Sequence, residues 1–204
     1  SDVCSSDLFL FGDDPRPQDK FVWYNLAKEF PGYKYSYGKS DYLGEDPSEG
    51  GYVYSEPGVY KDVWLLDVES LHPHSLIAIN YFGPYTPKFA ALVKCRMHIK
   101  HKEFDLAAHA FDEIDPELSR KLAPFLKDPS QAGGLGHAMK IVINIVYGMT
   151  SAKYDNKFRD PRNVDNIVAK RGALFMMKLK RELQAMGQQV IHVKTDSFKL
   201  PGAN

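Results

Sequence analysis

Residues 59–75 read VYKDVWLLDVESLHPHS, and residues 190–200 read VIHVKTDSFKL. The first stretch is rich in β-branched and aromatic residues. It ends in the nearly continuous apolar run VWLLDV, the pattern of a buried strand. Asp67 sits near the strand's end, and residues 70–80 (SLHPHSLIAIN) read as a turn entering a short helix. A carboxylate at that point is aimed into a cleft, with the amides of Ser70, Leu71 and His72 where a helix N-terminus can hold an anion. A strand-end cap is the plainer account of the same residue. The second stretch alternates and carries a turn-like Thr-Asp-Ser, which predicts a β-hairpin over 189–200 with Asp196 in its turn. Turns take Asp for local reasons alone. Asp196 lies 129 residues after Asp67, so the two meet only if their strands are neighbours.

Outward from these strands the pattern is mixed. Residues 20–30 suggest a short amphipathic helix stopped by Pro31-Gly32. Residues 31–60 are aromatic and turn-rich, with short strands, one over 51–55. A strand is expected over 91–99, and the basic cluster KCRMHIKHK (94–102) could meet a nucleic-acid backbone or form a solvated strand. Helices are expected from 103 to 126, with Asp115-Pro116-Glu117 opening one of them in the cap-then-proline manner. DPSQAGG (128–134) reads as a tip or hinge, and 135–152 as a long helix. Residues 166–186 form another, closed by Gly187.

On the helix over 135–152, Lys140, Asn144 and Tyr147 recur at i, i+4 and i+7 and share one face, with His137 a turn earlier. Ile141, Val142, Ile145 and Val146 supply the expected buried side. A cation, an amide and an aromatic ring in a row suit a nucleoside triphosphate, and they equally suit an ordinary polar helix face. His74, His98, His101, His109 and His192 form no metal-ligand spacing.

The 204 residues are 44% hydrophobic and 25% charged, with 15 Gly and 13 Pro, the composition of a globular chain. Disorder, collagen and disulfide-scaffold classes are excluded. No apolar run approaches the roughly 18 residues of a membrane span. With Cys4 and Cys95 as the only cysteines, a Cys-based zinc site cannot be built. The zero net charge divides unevenly: residues 1–66 carry 12 acidic and 6 basic side chains, and residues 138–204 carry 5 and 12. A basic half hints at a polyanionic partner. The opening SDVCSSDL is similar to translated sequencing-adapter DNA, so residues 1–8 are expected to be foreign. The whole is expected to be a fragment of a larger protein.

Taken together, three segments resemble, in order, motifs A, B and C of family B DNA polymerases. DVESLHPHS matches the first at Asp67, Ser70, Leu71 and Pro73. KIVINIVYG matches the second at Lys140, Asn144, Tyr147 and Gly148. KTDS matches the third at Thr195, Asp196 and Ser197. The likeness runs from about Gly50 onward.

The resemblance implies an α+β polymerase palm, an antiparallel β-sheet backed by helices, with a helical fingers insertion. Residues 9–58 would lead into the palm, 59–102 and 151–204 would form it, and 103–150 would be the fingers. It implies template-directed addition of deoxynucleoside triphosphates to a primer 3′ end. Asp67 and Asp196, helped by the Val68 carbonyl, would hold two Mg²⁺ ions. The Ser70 and Leu71 amides would take triphosphate oxygens and Lys140 a phosphate, with Asn144 and Tyr147 as the nucleotide floor. Arg120, Lys121 and Lys127 are candidates for a further phosphate contact.

Two departures matter. His72 replaces a tyrosine that excludes the 2′-hydroxyl, and Lys194 replaces the first carboxylate of the third motif. The compact third motif points to a phage-encoded parent acting in the host cytoplasm on primer–template DNA, without a membrane, with exonuclease and thumb domains outside this chain. Another palm enzyme (family A or a reverse transcriptase) and a non-catalytic nucleic-acid-binding fragment are the alternatives.

Overall fold

A computed structural model describes residues 2–163 and 165–202, without the side chains of residues 2–5. Cys4 therefore lies outside the described side chains. The chain is α+β, with long helices and two small antiparallel sheets. It divides into two compact units: Ser1–Trp23 with Leu76–Pro161, and Tyr24–Ser75 with Arg162–Asn204. Residues 76–102 thus cluster with the helices that follow them.

The first unit is helical. It contains α1 (Asp2–Phe11), α4 (Thr86–Lys100), α5 (Phe104–His109), α6 (Pro116–Leu122) and α7 (Pro129–Thr150). The strand expected over 91–99 is instead part of α4. Pro87 opens that helix, and Phe89, Leu92, Val93 and Ile99 go inward from it. The basic cluster 94–102 accordingly lies on a helix and the turn after it. The expected hinge at 128–134 is also helical. The Asp128 side chain accepts from the Ser130 amide at 2.9 Å and Pro129 takes the first helical position, so α7 starts there despite its glycines. Asp115 caps α6 in the same way, accepting from the Leu118 amide at 2.9 Å. The unit's core is aromatic. Phe82 meets Phe21 and Phe89 edge-on, with centroids 5.3 and 5.7 Å apart, and Phe11 leans on Phe158 at 5.1 Å.

The second unit holds the sheets. α2 (Leu26–Glu29), shorter than expected, is capped by Asn25. β1 (Tyr33–Ser36) and β2 (Lys39–Tyr42) form a hairpin. β3 (Val53–Ser55), β4 (Val63–Asp67), β5 (His192–Lys194) and β6 (Ser197–Pro201) make a four-stranded sheet in the order β3-β5-β6-β4. α8 (Ile167–Ala185) covers one face of it, with its Lys180 amine 4.2 Å from the Tyr54 ring centroid of β3. Val193, Phe198 and Leu200 are almost wholly buried on that side.

A third expectation is overturned. The apolar run of β4 is not buried: all five of its residues are exposed, Leu65 by 65%. β4 is an edge strand bonded on one side alone, to β6, so Trp64 and Leu66 overhang the covered face and Leu65 lies on the open one. An apolar run reports strand character, whereas burial depends on what lies beyond the edge.

Candidate active site

The two carboxylate-bearing strands are neighbours. In the β4–β6 ladder Asp67 stands opposite Ser197, the residue after Asp196. Thr195 and Asp196 make a two-residue turn between the paired Lys194 and Ser197, with Thr195 at φ +54°. The turn is held from both sides. The Thr195 amide donates to the Tyr52 carbonyl at 2.9 Å, and the Val68 amide donates to the Asp196 carbonyl at 2.7 Å. The first bond requires close approach at Gly51, where a Cβ would stand 2.3 Å from the Thr195 hydroxyl. Asp67 is exposed and Asp196 half-buried.

Beyond Asp67 the chain turns through Ser70, at φ +54°, into α3 (Leu71–Ala78). Leu71 is buried, and both it and His72 lie along Gly172 of α8: a Cβ there would touch Leu71 at 3.4 Å and the His72 Nδ1 at 3.6 Å. Burial lowers the His72 pKa below its usual 6.5, and the Asp196 carboxylate pulls the other way. His72 is therefore close enough to Asp196 to feel its charge. Ser70, Leu71 and His72 are all in the sheet unit with the two carboxylates.

These donors fit a magnesium ion in one sense only. Two carboxylates and the Val68 carbonyl are hard oxygen ligands of the kind Mg²⁺ takes when waters and substrate phosphates complete its shell. They do not make an all-protein cage. Among the described residues no group of three or more His, Cys, Asp or Glu side chains could hold a metal.

Lys140, Asn144 and Tyr147 are on α7 in the helical unit, the first two exposed and the third half-buried, with burial raising the tyrosine pKa. The buried side of this helix overlaps the expected one at Val146 only. Met139, Ile143, Val146 and Met149 go inward, while Ile141 is exposed and lines an apolar cavity of about 430 Å³ with Val142 and Ile145. The inward stripe is set by packing on α4. Of the candidate phosphate contacts, Lys121 is paired with Glu117 at 2.6 Å, and Arg120 and Lys127 are exposed.

Sequence reading missed Lys180. It is buried, and its amine donates to Glu45 at 2.9 Å and to the Tyr52 hydroxyl at 2.6 Å. Tyr52 is the residue whose carbonyl holds the Asp196 turn, so this lysine supports the site from behind. The available signal was a charge on the apolar stripe of α8, in step with Ala173, Met176 and Met177.

No family model matches the chain. It is similar to DNA polymerase II of Escherichia coli (strain K12), at 31% identity over 161 residues. The match takes in 76% of this chain and 20% of the relative, so the chain spans about a fifth of the length of the curated protein it matches. Among the described residues no helix is long and apolar enough to cross a membrane.

Proposed function

We propose that this chain is the palm and fingers portion of a family B DNA polymerase, adding deoxynucleotides to a primer 3′ end on a DNA template. The reading is supported above all by the β4–β6 register, in which residues 129 apart in sequence put Asp67 beside the Asp196 turn. In it, residues 59–102 and 151–204 belong to the palm and 103–150 to the fingers. The parent is read as phage-encoded, working in its host's cytoplasm.

Asp67, Asp196 and the Val68 carbonyl would hold two Mg²⁺ ions. When bound, these would make the primer hydroxyl a better nucleophile and neutralise charge on the triphosphate. The remaining roles belong to the chain itself. The Ser70 and Leu71 amides bind triphosphate oxygens, Lys140 a phosphate, and Asn144 and Tyr147 contact the nucleotide. His72, held against Gly172 with its pKa lowered by burial, stands where a tyrosine would bar the 2′-hydroxyl. Ribonucleotides are therefore rejected less strictly than by a tyrosine at that position.

Primer extension by the full-length protein with Mg²⁺ tests the reading. Removing either carboxylate withdraws several kcal/mol of transition-state stabilisation, roughly a thousandfold in rate. Asp67→Asn or Asp196→Asn retaining full activity would eliminate the mechanism.

A further inference from the structure

We propose that Lys194 is a phosphate-binding residue of the carboxylate site, a fixed cation for the phosphate of whatever nucleotide or strand is brought to Asp67 and Asp196. The inference rests on the polymerase reading for the ligand's chemistry, and on the sheet for the residue.

Residues opposite one another across a sheet share a face, and successive rows alternate. One row reads Val53, Lys194, Ser197, Asp67, and the next but one reads Ser55, His192, Lys199, Leu65. Both rows lie on the open side. The row between them, Tyr54, Val193, Phe198 and Leu66, goes to the side where Val193 and Phe198 are buried. The open face therefore carries Lys194, Lys199 and His192 against one strand carboxylate, Asp67.

The arrangement does not favour folding. His192 stands directly opposite Lys199, and like charges so placed destabilise a sheet whenever the imidazole is protonated. Lys194 and Lys199 are both exposed, and among the described residues neither amine enters an ion pair. Lys194 is two strands from Asp67, roughly 10 Å across the sheet at the usual spacing. That gap exceeds a direct ion pair between the two backbones' positions, and it suits an anionic group lying between them. Asp196 sits in the turn next to Lys194, its amide bonded to the Lys194 carbonyl at 2.7 Å. A phosphate brought to the carboxylates on a cation would thus find a compensating charge on the same face.

The phosphate has two possible sources, the triphosphate of an incoming nucleotide and the phosphodiester of the primer strand, and one experiment separates them. Fluorescence anisotropy is measured in EDTA with a labelled deoxynucleoside triphosphate and, separately, with a labelled primer–template duplex. The proteins are the whole chain, Lys194→Ala, Lys194→Arg, and Lys34→Ala as a control in the other sheet. The expected result is about a tenfold loss of affinity for one ligand in Lys194→Ala, in line with a charge-assisted contact, with recovery in Lys194→Arg.

If the strand is the source, the slope of log affinity against log salt also falls by about one. Loss confined to the nucleotide names the triphosphate. The inference is overturned if Lys194→Ala matches Lys34→Ala for both ligands while the unaltered chain binds. That result leaves the polymerase reading standing, because no divalent ion and no extension enter the assay. Failure of the unaltered chain to bind either ligand overturns the inference as well, and the polymerase reading then stands or falls by primer extension with Mg²⁺.

Discussion

Replacing Lys180 with Met separates the support behind the hairpin from the hairpin itself. The amine donates to Glu45 and to the Tyr52 hydroxyl, at 2.9 and 2.6 Å, beneath the strand that carries the Tyr52 carbonyl to Thr195. Two charge-assisted bonds at about 1.5–3 kcal/mol each set an upper bound of about 3–6 kcal/mol. The loss is smaller than that. Glu45 keeps Arg181 at 2.7 Å and leaves about a third of its side chain in water, so its charge is not stranded. The methionine also retains most of the stem's packing.

About 2–4 kcal/mol remains, a fall of about 4–16 °C in Tm at this chain length. Urea unfolding followed by Trp64 fluorescence in a Trp23→Phe background reads the sheet unit. A loss below about 1 kcal/mol would refute the reasoning. The pH dependence gives a second check. Burial alone would raise the Glu45 pKa, but hydrogen bonds from Lys180 and Tyr52 outweigh it and the net shift is below 4.5. A depressed carboxylate stabilises fully above its unfolded pKa and loses that contribution as pH falls through the folded one. The decline below about pH 4.5 should therefore flatten in Lys180→Met.

Three further outcomes follow from the same structure. Leu65→Thr, on the open face of the edge strand, should change stability by no more than about 0.5 kcal/mol, whereas a loss near 3 kcal/mol by chemical denaturation would mean the strand is buried. Asp115→Ala should cost about 1 kcal/mol, the ordinary value of a helix N-cap, and no change in Tm would deny the cap its role. The Cys95 thiol is buried and bonded to the Ala107 carbonyl, and burial pushes its pKa up from 9.0 to about 11. Its thiol form is favoured in the folded state, so that contribution is full below pH 9 and lost as pH rises towards 11. Rapid alkylation of the native chain at pH 8 would contradict this.

Local signals carried much of the fold. Asp115-Pro116 marks a helix start, Gly187 a helix end, and Thr195-Asp196 a hairpin, because capping and turn chemistry are settled within a few residues. The same signal at Asp128-Pro129 reads as a hinge because of the glycines that follow it. The failures share one cause. Residues 91–99 are apolar enough for a strand, but Pro87 had already committed them to a helix and the α4–α7 packing keeps them there. VWLLDV reads as buried only if a strand is assumed to have two neighbours, and β4 has one. At the candidate site, residue types were legible from the motif order. The bonds that hold Asp196 in its turn were not, since Tyr52 and Val68 act through backbone groups that any residue supplies. Lys180 was hidden because a lysine within a helix normally signals solvent.

The account's central claim is that Asp67 and Asp196 act together on one cation-bound phosphate group. Manganese binding by electron paramagnetic resonance, with a deoxynucleoside triphosphate present, tests it most directly. The account predicts that Asp67→Asn and Asp196→Asn each weaken protein-bound manganese at least about tenfold, and that the double substitution adds little because the two share one site. Manganese affinity unchanged by either substitution, or two independent additive losses, would contradict it.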